Sequence, residues 1–420
     1  MNKLIVIPIF ALILLIIDYY VFQGIKAASQ SFAPTTRNLI NYIYWGITVL
    51  TMVSLFAYHF VNPFWLGKNI RTAIMVGIFT NYVSKIVMVF FLFIDEIWRL
   101  IQWVIQQFKG PEPATEVAEN AIPRSEFLAK TGVILGTAPI VAISWGIISG
   151  AHDYRVRRKT LHLPNLPKSF DGIRIAQISD VHSGSFWNKT AVKGGIDMLN
   201  KEKPDLVFFT GDLVNNQAEE MKDYVDVFNK VTAPLGVYSI LGNHDYGDYV
   251  SWPSKAAKAK NLETLIQTHR AMGWDILLDE YRILKEGDGE IAIIGIENWG
   301  AKGRFPKYGN LKNAYQGTED VPVKLLLSHD PSHWRAEVLP MYPDIDLTFS
   351  GHTHGMQFGV EIGDFRWSPV KYMYDEWADL YQSGKQYLYV NRGFGYLGFP
   401  GRIGIVPEIT VIELKRDLPF

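Results

Sequence analysis

Leu347-Thr348-Phe349-Ser350-Gly351-His352-Thr353-His354 is a short apolar run that breaks at a glycine and ends in two histidines. Side chains two residues apart in an extended segment project the same way, so the two imidazoles face one point. Four other stretches share this grammar. Ile173–Ser179 runs into Asp180-Val181-His182, and Leu206–Phe209 into Thr210-Gly211-Asp212. Val237–Leu241 runs into Gly242-Asn243-His244-Asp245, and Val323–Leu327 into Ser328-His329. An apolar run bounded by turn residues reads as a buried strand. Metal-ligating residue types at successive strand ends gather along one sheet edge, where α/β folds build their sites. Glycine ahead of Asp212, Asn243 and His352 lets the backbone turn sharply and approach a ligand closely.

Singly, each block is weak: Gly-Asp is a turn, and a lone Asp-x-His is mostly coincidence. Their joint occurrence in order carries the weight. Asp, His and Asn are donors that first-row divalent ions accept, and there are enough here for two ions. Oxygen and nitrogen donors in a chain without cysteine suit Mn, Fe, Zn or Co. Two such ions about 3.5–4 Å apart can activate a water and clamp the oxygens of an in-line phosphoryl displacement. Asp212, with two oxygens and a full charge, is the candidate bridging ligand. Of the other histidines, His59, His152, His162 and His269 have no motif around them, and His333 reads as a helix residue near the rim.

The five blocks, in this order, resemble the calcineurin-like metallophosphoesterase superfamily from about Leu161 to the C-terminus. The resemblance implies an α/β fold, the four-layer αββα sandwich. It implies that Asp180, His182, Asp212 and His354 hold one ion, and that Asp212, Asn243, His329 and His352 hold the other. It leaves His244 unligated beside the leaving group as a proton donor, with Asp245 orienting its imidazole. The tail from Asn391 to Arg402, followed by Pro407-Glu408-Ile409, looks like the ending of a bacterial membrane-associated branch. Its glycines suggest a loop passing close to a ligand or the ions. Arg392 and Arg402 are candidates for contacting substrate, and Phe394, Tyr396 and Phe399 are read either as core or as facing lipid.

Residues 1–150 have a different composition and are expected to form a bundle of about four transmembrane helices, with the phosphoesterase domain over 151–420. Leu4–Phe22, Tyr42–Val61, Ala73–Phe93 and Thr131–Gly150 approach the length needed to cross a bilayer. Ala27-Ala28-Ser29 suits a signal-peptide cut, but Asp18, Tyr19 and Tyr20 suit an interfacial anchor, and retention is favoured. Lys85, inside the third stretch, calls for snorkelling or a partner on a neighbouring helix. Gly132, Gly136, Gly146 and Gly150 are spaced for close packing within the bundle or against a second chain. Glu96–Phe108 reads as an amphipathic extension ending near Lys109-Gly110-Pro111, and Glu112, Pro113, Glu116 and Glu119 as a polar loop. Arg124-Ser125-Glu126-Phe127-Leu128-Ala129-Lys130 has only one of the two arginines of a twin-arginine export signal.

The formal net charge of −1 argues against nucleic acid as a partner. Arg155, Arg157, Arg158 and Lys159 follow the fourth span, and Lys68 and Arg71 the second, which favours a cytoplasmic catalytic domain. Lys26, Arg37, Arg99, Lys109, Arg124 and Lys130 pull the other way. The expectation is therefore a multi-pass plasma- or inner-membrane hydrolase that uses two divalent ions. Its substrate would be a phosphate ester or pyrophosphate borne by a membrane lipid, and the resemblance to membrane-associated members of the family implies UDP-diacylglucosamine-type pyrophosphate cleavage as the most specific reading. The alternatives are a phosphodiesterase or phosphatase of soluble substrates, and a membrane sensor or scaffold that binds ligand without turnover.

Overall fold

The computed structural model describes residues 3–60, 67–108, 124–303 and 305–416, and the chain divides into two compact units, Met1–Ser144 and Trp145–Phe420. Helices α1 (Lys3–Ala28), α2 (Pro34–Phe60), α3 (Gly67–Phe108) and α4 (Arg124–Ile148) carry the apolar stretches. All four are long and apolar enough to cross a membrane. The extension expected after the third span continues the same helix, which runs for 42 residues. The expected loop around Lys109, Gly110, Pro111, Glu112, Pro113, Glu116 and Glu119 lies outside the described residues, as do the side chains of Lys68 and of residues 124–126.

Lys85 has the helix-facing partner its position demands. Its ammonium pairs with the Asp18 carboxylate of α1. The other oxygen of Asp18 accepts from Tyr82 Oη at 2.9 Å, and its backbone carbonyl accepts from Tyr44 Oη at 2.6 Å. Asp18 is fully buried, so it is a counter-ion inside the bundle and not an interfacial anchor. A charge at this depth persists only when paired. Gly132 and Gly136 let α4 approach α3: a Cβ on Gly132 would lie 3.1 Å from the Cβ of Phe91, and Gly136 faces Met88. Gly146 and Gly150 both lie against the Arg402 backbone within the C-terminal unit.

The C-terminal unit contains fourteen strands among the described residues. They are β1 (Arg155–His162), β2 (Arg174–Ile178), β3 (Leu206–Phe209), β4 (Val237–Ser239), β5 (Asp275–Ile276), β6 (Glu280–Glu286) and β7 (Gly289–Gly295). After them come β8 (Val323–Leu327), β9 (Leu347–Ser350), β10 (Val360–Ile362), β11 (Phe365–Trp367), β12 (Asp379–Ser383), β13 (Gln386–Val390) and β14 (Glu408–Lys415). One six-stranded sheet has the order β1-β14-β2-β3-β4-β5, a second β12-β13-β9-β8-β7-β6, and β10-β11 form a separate hairpin. In the sheets, β2, β3 and β4 run parallel, as do β7, β8 and β9.

Period-two patterning explains the layers. Ile175, Phe208, Ile293, Leu325 and Leu327 share a core between the sheets with Phe349, Tyr389 and Ile412. Their neighbours Ala176, Val207 and Phe209 face the other way, onto α5 (Lys189–Lys201) and the helix Lys255–Ala271. Ala292, Ile294 and Leu326 pack outward against Leu311, Trp334 and Val338 of the second outer layer. Strands buried on both faces read as continuous apolar runs. The result is the expected αββα sandwich.

Candidate metal centre

The parallel strands deliver the candidate ligands to one edge. Asp180, Asp212 and Asn243 lie two to four residues beyond the ends of β2, β3 and β4, and His329 and His352 two residues beyond β8 and β9. Backbone hydrogen bonds tie these ends together. Asp180 N–H donates to the Gly211 carbonyl at 2.9 Å, and His352 N–H donates to the Asp180 carboxylate at 2.9 and 3.0 Å. Gly211 has φ +97°, and a Cβ there would lie 2.6 Å from Gly242 N and 2.8 Å from His329 Nδ1. The glycine preceding Asp212 is therefore required by close approach as well as by conformation. Asp180, His182, Asp212, His352 and His354 all adopt left-handed φ, between 48° and 71°. Non-glycine residues adopt this region at a cost and concentrate at functional sites.

Two clusters of ligand-type side chains result, Asp180–His182–His354 and Asp212–His329–His352. In the first, His182 Nε2 and His354 Nε2 are 3.0 Å apart, and His354 Nε2 is 3.3 Å from Asp180 Oδ1. In the second, Asn243 Oδ1 lies 3.1 Å from His329 Nε2 and 2.8 Å from His352 Nδ1. Asp212 Oδ2 belongs to both, at 3.5 Å from His182 Nε2 and 3.2 Å from His329 Nε2. Donor–metal bonds of about 2.0–2.2 Å place neighbouring donors of a tetrahedral or octahedral ion about 2.8–3.6 Å apart. The observed separations match, so the residues present fit two divalent ions with Asp212 between them.

Orienting contacts behind the ligands were not legible in the sequence. The Thr210 carbonyl accepts from His329 Nδ1 at 2.7 Å. Tyr249 Oη accepts from Asn243 Nδ2 at 2.8 Å, which fixes the amide with its oxygen toward the cluster. His352 Nε2 meets Tyr374 Oη at 2.9 Å, and that hydroxyl donates onward to Asp330 Oδ2 at 3.4 Å. Such contacts set the tautomer and aim of a ligating imidazole. Arg402 lies behind His354, its Nη2 3.2 Å from Nδ1.

Burial dominates the electrostatics. It raises the Asp180 carboxyl to about 6, lowers His182 to about 3 and depresses His352 and His354. Burial also opposes charge on Asp212 and His329, but their mutual attraction wins. The imidazoles of His329, His244 and His182 hold Asp212 well below the usual carboxylate range, while Asp212 and Asp180 raise His329 to about 10.

His244 reaches the cavity as expected, but Asp245 does not orient it. The Asp245 carboxylate accepts backbone N–H groups from Asp212, Leu213, Val214 and Gly242 at 2.8–3.2 Å. Burial and the nearby Asp212 charge push Asp245 up to about 7, yet four N–H donors suit the ionised carboxylate. Its role is to clamp the turns after β3 and β4. The contact that orients His244 is the Asn215 carbonyl, 2.8 Å from Nδ1. A carbonyl can only accept, so Nδ1 keeps its proton and Nε2 is the atom left to gain or lose one.

The tail arginines do not reach the cavity either. Arg392 is fully buried and bonded to Glu361 and Glu408, and buried Arg402 donates to the carbonyls of Gly393 and Gly395. Counter-charges and carbonyls claim both guanidiniums, which rules out substrate contact in this structure. Phe394 and Tyr396 are core, packed with Phe186. The tail does pass close to the ligands, since a Cβ on Gly393 would lie 3.0 Å from Asp180 Cβ and from His354 Nδ1. His333 is not at the rim; it is buried, 2.9 Å from Ser328 Oγ. His269, likewise buried, bonds Ser239 Oγ at 3.0 Å.

A cavity of about 420 Å³ opens over both clusters, lined by His182, Asp212, Asn243, His244, His352 and His354. Its remaining wall is largely apolar, formed by Phe305, Met356, Val370, Met373 and Leu397, with Lys302 and Tyr374 beside them. Of these, only Leu397 lies in a stretch the sequence singled out, the tail from Asn391 to Arg402.

Comparison with known proteins agrees with this architecture. Residues 2–151 match a family described as a probable calcineurin-like phosphoesterase, transmembrane domain, and residues 173–356 match the calcineurin-like phosphoesterases. The chain is 33% identical to the metallophosphoesterase YkuE of Bacillus subtilis, over 63% of this chain and 86% of that protein. It is 27% identical to a transmembrane protein with metallophosphoesterase domain from Danio rerio, over 89% of this chain and 80% of the relative, so the full arrangement is not confined to bacteria. It is 26% identical to the UDP-2,3-diacylglucosamine pyrophosphatase LpxG of Chlamydia trachomatis, over 61% of this chain and 88% of that protein.

Proposed function

The chain belongs to the calcineurin-like metallophosphoesterases, phosphoric ester hydrolases, here with a membrane domain, and we propose that it cleaves a phosphate ester or pyrophosphate borne by a membrane lipid. The observation that carries this reading is the cavity's division. Metal-ligating side chains form one wall and Phe305, Met356, Val370, Met373 and Leu397 another, as a substrate with a charged head and an apolar body requires. The similarity to a UDP-2,3-diacylglucosamine pyrophosphatase makes a lipid-linked pyrophosphate of that type the most specific form of the proposal.

Asp180, His182, Asp212 and His354 would hold one divalent ion, and Asp212, Asn243, His329 and His352 the other. When bound, such a pair supplies Lewis acidity and a nucleophile at neutral pH. His244 Nε2 gives a proton to the leaving oxygen, with the Asn215 carbonyl holding the ring's other edge. Asp245 keeps the Asp212 and Asn243 turns in register, and the apolar wall excludes water from one side of the reacting phosphorus.

The test is mass spectrometry of membrane lipids and nucleotides incubated with the purified full chain and manganese. Release of a lipid phosphate is expected; hydrolysis confined to soluble phosphodiesters would favour the alternative of a soluble-substrate phosphodiesterase. Binding without turnover would make the protein a sensor, a role that gives no reason for an imidazole held free beside the ligands.

We also propose that the catalytic unit faces the cytoplasm. Arg157, Arg158 and Lys159 pair with Glu361, Glu202 and Asp379 in the folded unit, but charge bias acts during insertion, before those partners are folded. Reporter fusions after Phe420 decide it: alkaline phosphatase active and green fluorescent protein dark would place the unit outside.

A further inference from the structure

The hairpin β10-β11 is built inside out. Register pairs Val360 with Trp367, Glu361 with Arg366 and Ile362 with Phe365, so Val360, Ile362, Phe365 and Trp367 share one face and the charged pair takes the other. The charged face is the inner one. Glu361 pairs with Arg157 and Arg392, and Arg366 with Asp379. The apolar face looks outward, with Ile362 73% and Phe365 62% exposed. Neighbouring apolar side chains extend it. Trp367 contacts the exposed Phe358 ring and lies 3.5 Å from the hydroxyl of exposed Tyr372. Exposed Met356 and Met373 carry it to the cavity mouth, which they line. A contiguous apolar surface of this kind marks a docking site.

We propose that this face docks on the surface of the lipid bilayer, so that the metal centre opens at the interface and takes a lipid-borne substrate laterally. The occupant is indicated by what the hairpin is attached to. Gly359 N–H donates to the Ile403 carbonyl, and Arg402 N–H donates to the Gly146 carbonyl. Gly146 lies in the C-terminal part of α4, a helix long and apolar enough to span a membrane, and nearby Trp145 and Ile148 are exposed. One hydrogen-bonded path of a few residues thus joins the hairpin to the end of that helix. Exposed Lys371, its ammonium 5.5 Å from the Tyr372 ring, adds the cation and aromatic of an interfacial surface. Asp364, exposed at the turn, opposes insertion tip-first, so the hairpin lies flat on its apolar face.

The lateral-uptake half rests on the lipid-substrate reading, and the docking half does not. Because the chain has no cysteine, Ile362→Cys and Phe365→Cys each offer one labelling site, with Lys230→Cys on an exposed turn outside the apolar face as control. The full chain in nanodiscs, labelled with a fluorophore, is titrated with nitroxide-bearing lipid. Strong quenching at 362 and 365 and weak quenching at 230 is expected; equal quenching at all three sites overturns docking. Self-quenching between labels that grows with copies per disc, without lipid quenching, also overturns it and assigns the face to a second copy. The double variant Ile362→Ser/Phe365→Ser should lose about tenfold in turnover of substrate presented in the bilayer while keeping its rate on a soluble chromogenic phosphodiester. If the labels are quenched but no lipid is cleaved, the substrate reading fails and docking stands; if lipid is cleaved with unquenched labels, the reverse holds.

Discussion

Replacing Tyr374 by Phe should loosen one of the two metal positions and spare the other. The ring is buried in a cluster with Val370, Trp377, Ala378 and Ile405, so Phe keeps the packing and removes only the hydroxyl. That hydroxyl stands between His352 Nε2 and Asp330 Oδ2, at 2.9 and 3.4 Å. Burial and the Asp330 charge hold its proton on well above the usual phenol range, so it accepts from Nε2–H and passes the interaction to the carboxylate. Without it, His352 faces Asp330 at 3.7 Å, too far for a hydrogen bond. The tautomer that presents Nδ1 as a ligand then loses its support. Losing an orienting partner of this kind typically costs about 10–100-fold in metal affinity, or about 1.4–2.7 kcal/mol. The Asp180–His182–His354 position does not draw on the Tyr374 hydroxyl and should keep its affinity. The assay is metal content by mass spectrometry after dialysis against graded chelator, with the manganese dependence of turnover alongside. One ion should leave at roughly tenfold lower chelator strength while excess manganese restores most of the rate. Equal loss of both ions, or of neither, would refute the assignment of Tyr374 to a single position.

Asp212→Asn neutralises the one oxygen shared by both clusters, so metal content should fall below two per chain and turnover nearly vanish; two retained ions at normal rate would remove Asp212 from the bridging position. His244→Ala should keep both ions yet slow the reaction by about 10²–10⁴-fold. That loss should shrink for leaving groups of low pKa, and a uniform loss across a leaving-group series would assign the ring to positioning. His269, lowered to about 3 by burial, binds a proton more readily when unfolded. Its contribution is therefore complete above about pH 6.5 and erodes as pH falls, by about 2 kcal/mol at pH 5. His269→Gln should flatten the acid side of a thermal-midpoint profile relative to the parent, and an unchanged slope would contradict the burial argument.

What the sequence reveals and what it hides divide along physical lines. The clustered Asp, His and Asn residues were legible because a strand end imposes both an apolar run and a turn residue around each one. Asp245 was misread because adjacency to His244 in the chain says nothing about a carboxylate that turns back to four amide hydrogens. Arg392 and Arg402 were misread for a related reason: their partners, Glu361, Glu408 and the Gly393 and Gly395 carbonyls, are visible only once the tail is folded. Tyr374, Asn215 and the hairpin's reversed polarity depend on tertiary placement, and no local pattern encodes them.

The pairing of Asp18 with Lys85 also bears on how the chain enters its membrane. Alone, α1 and α3 would each bring an uncompensated charge into hydrocarbon, at about 2.5–3.5 kcal/mol on insertion scales. Together the two charges neutralise one another, with Tyr82 and Tyr44 satisfying the remaining oxygens. Proteolytic removal of the first helix would leave Lys85 without its counter-ion. A segment with the outward look of a secretion signal thus carries the carboxylate that pairs with the third helix's buried lysine.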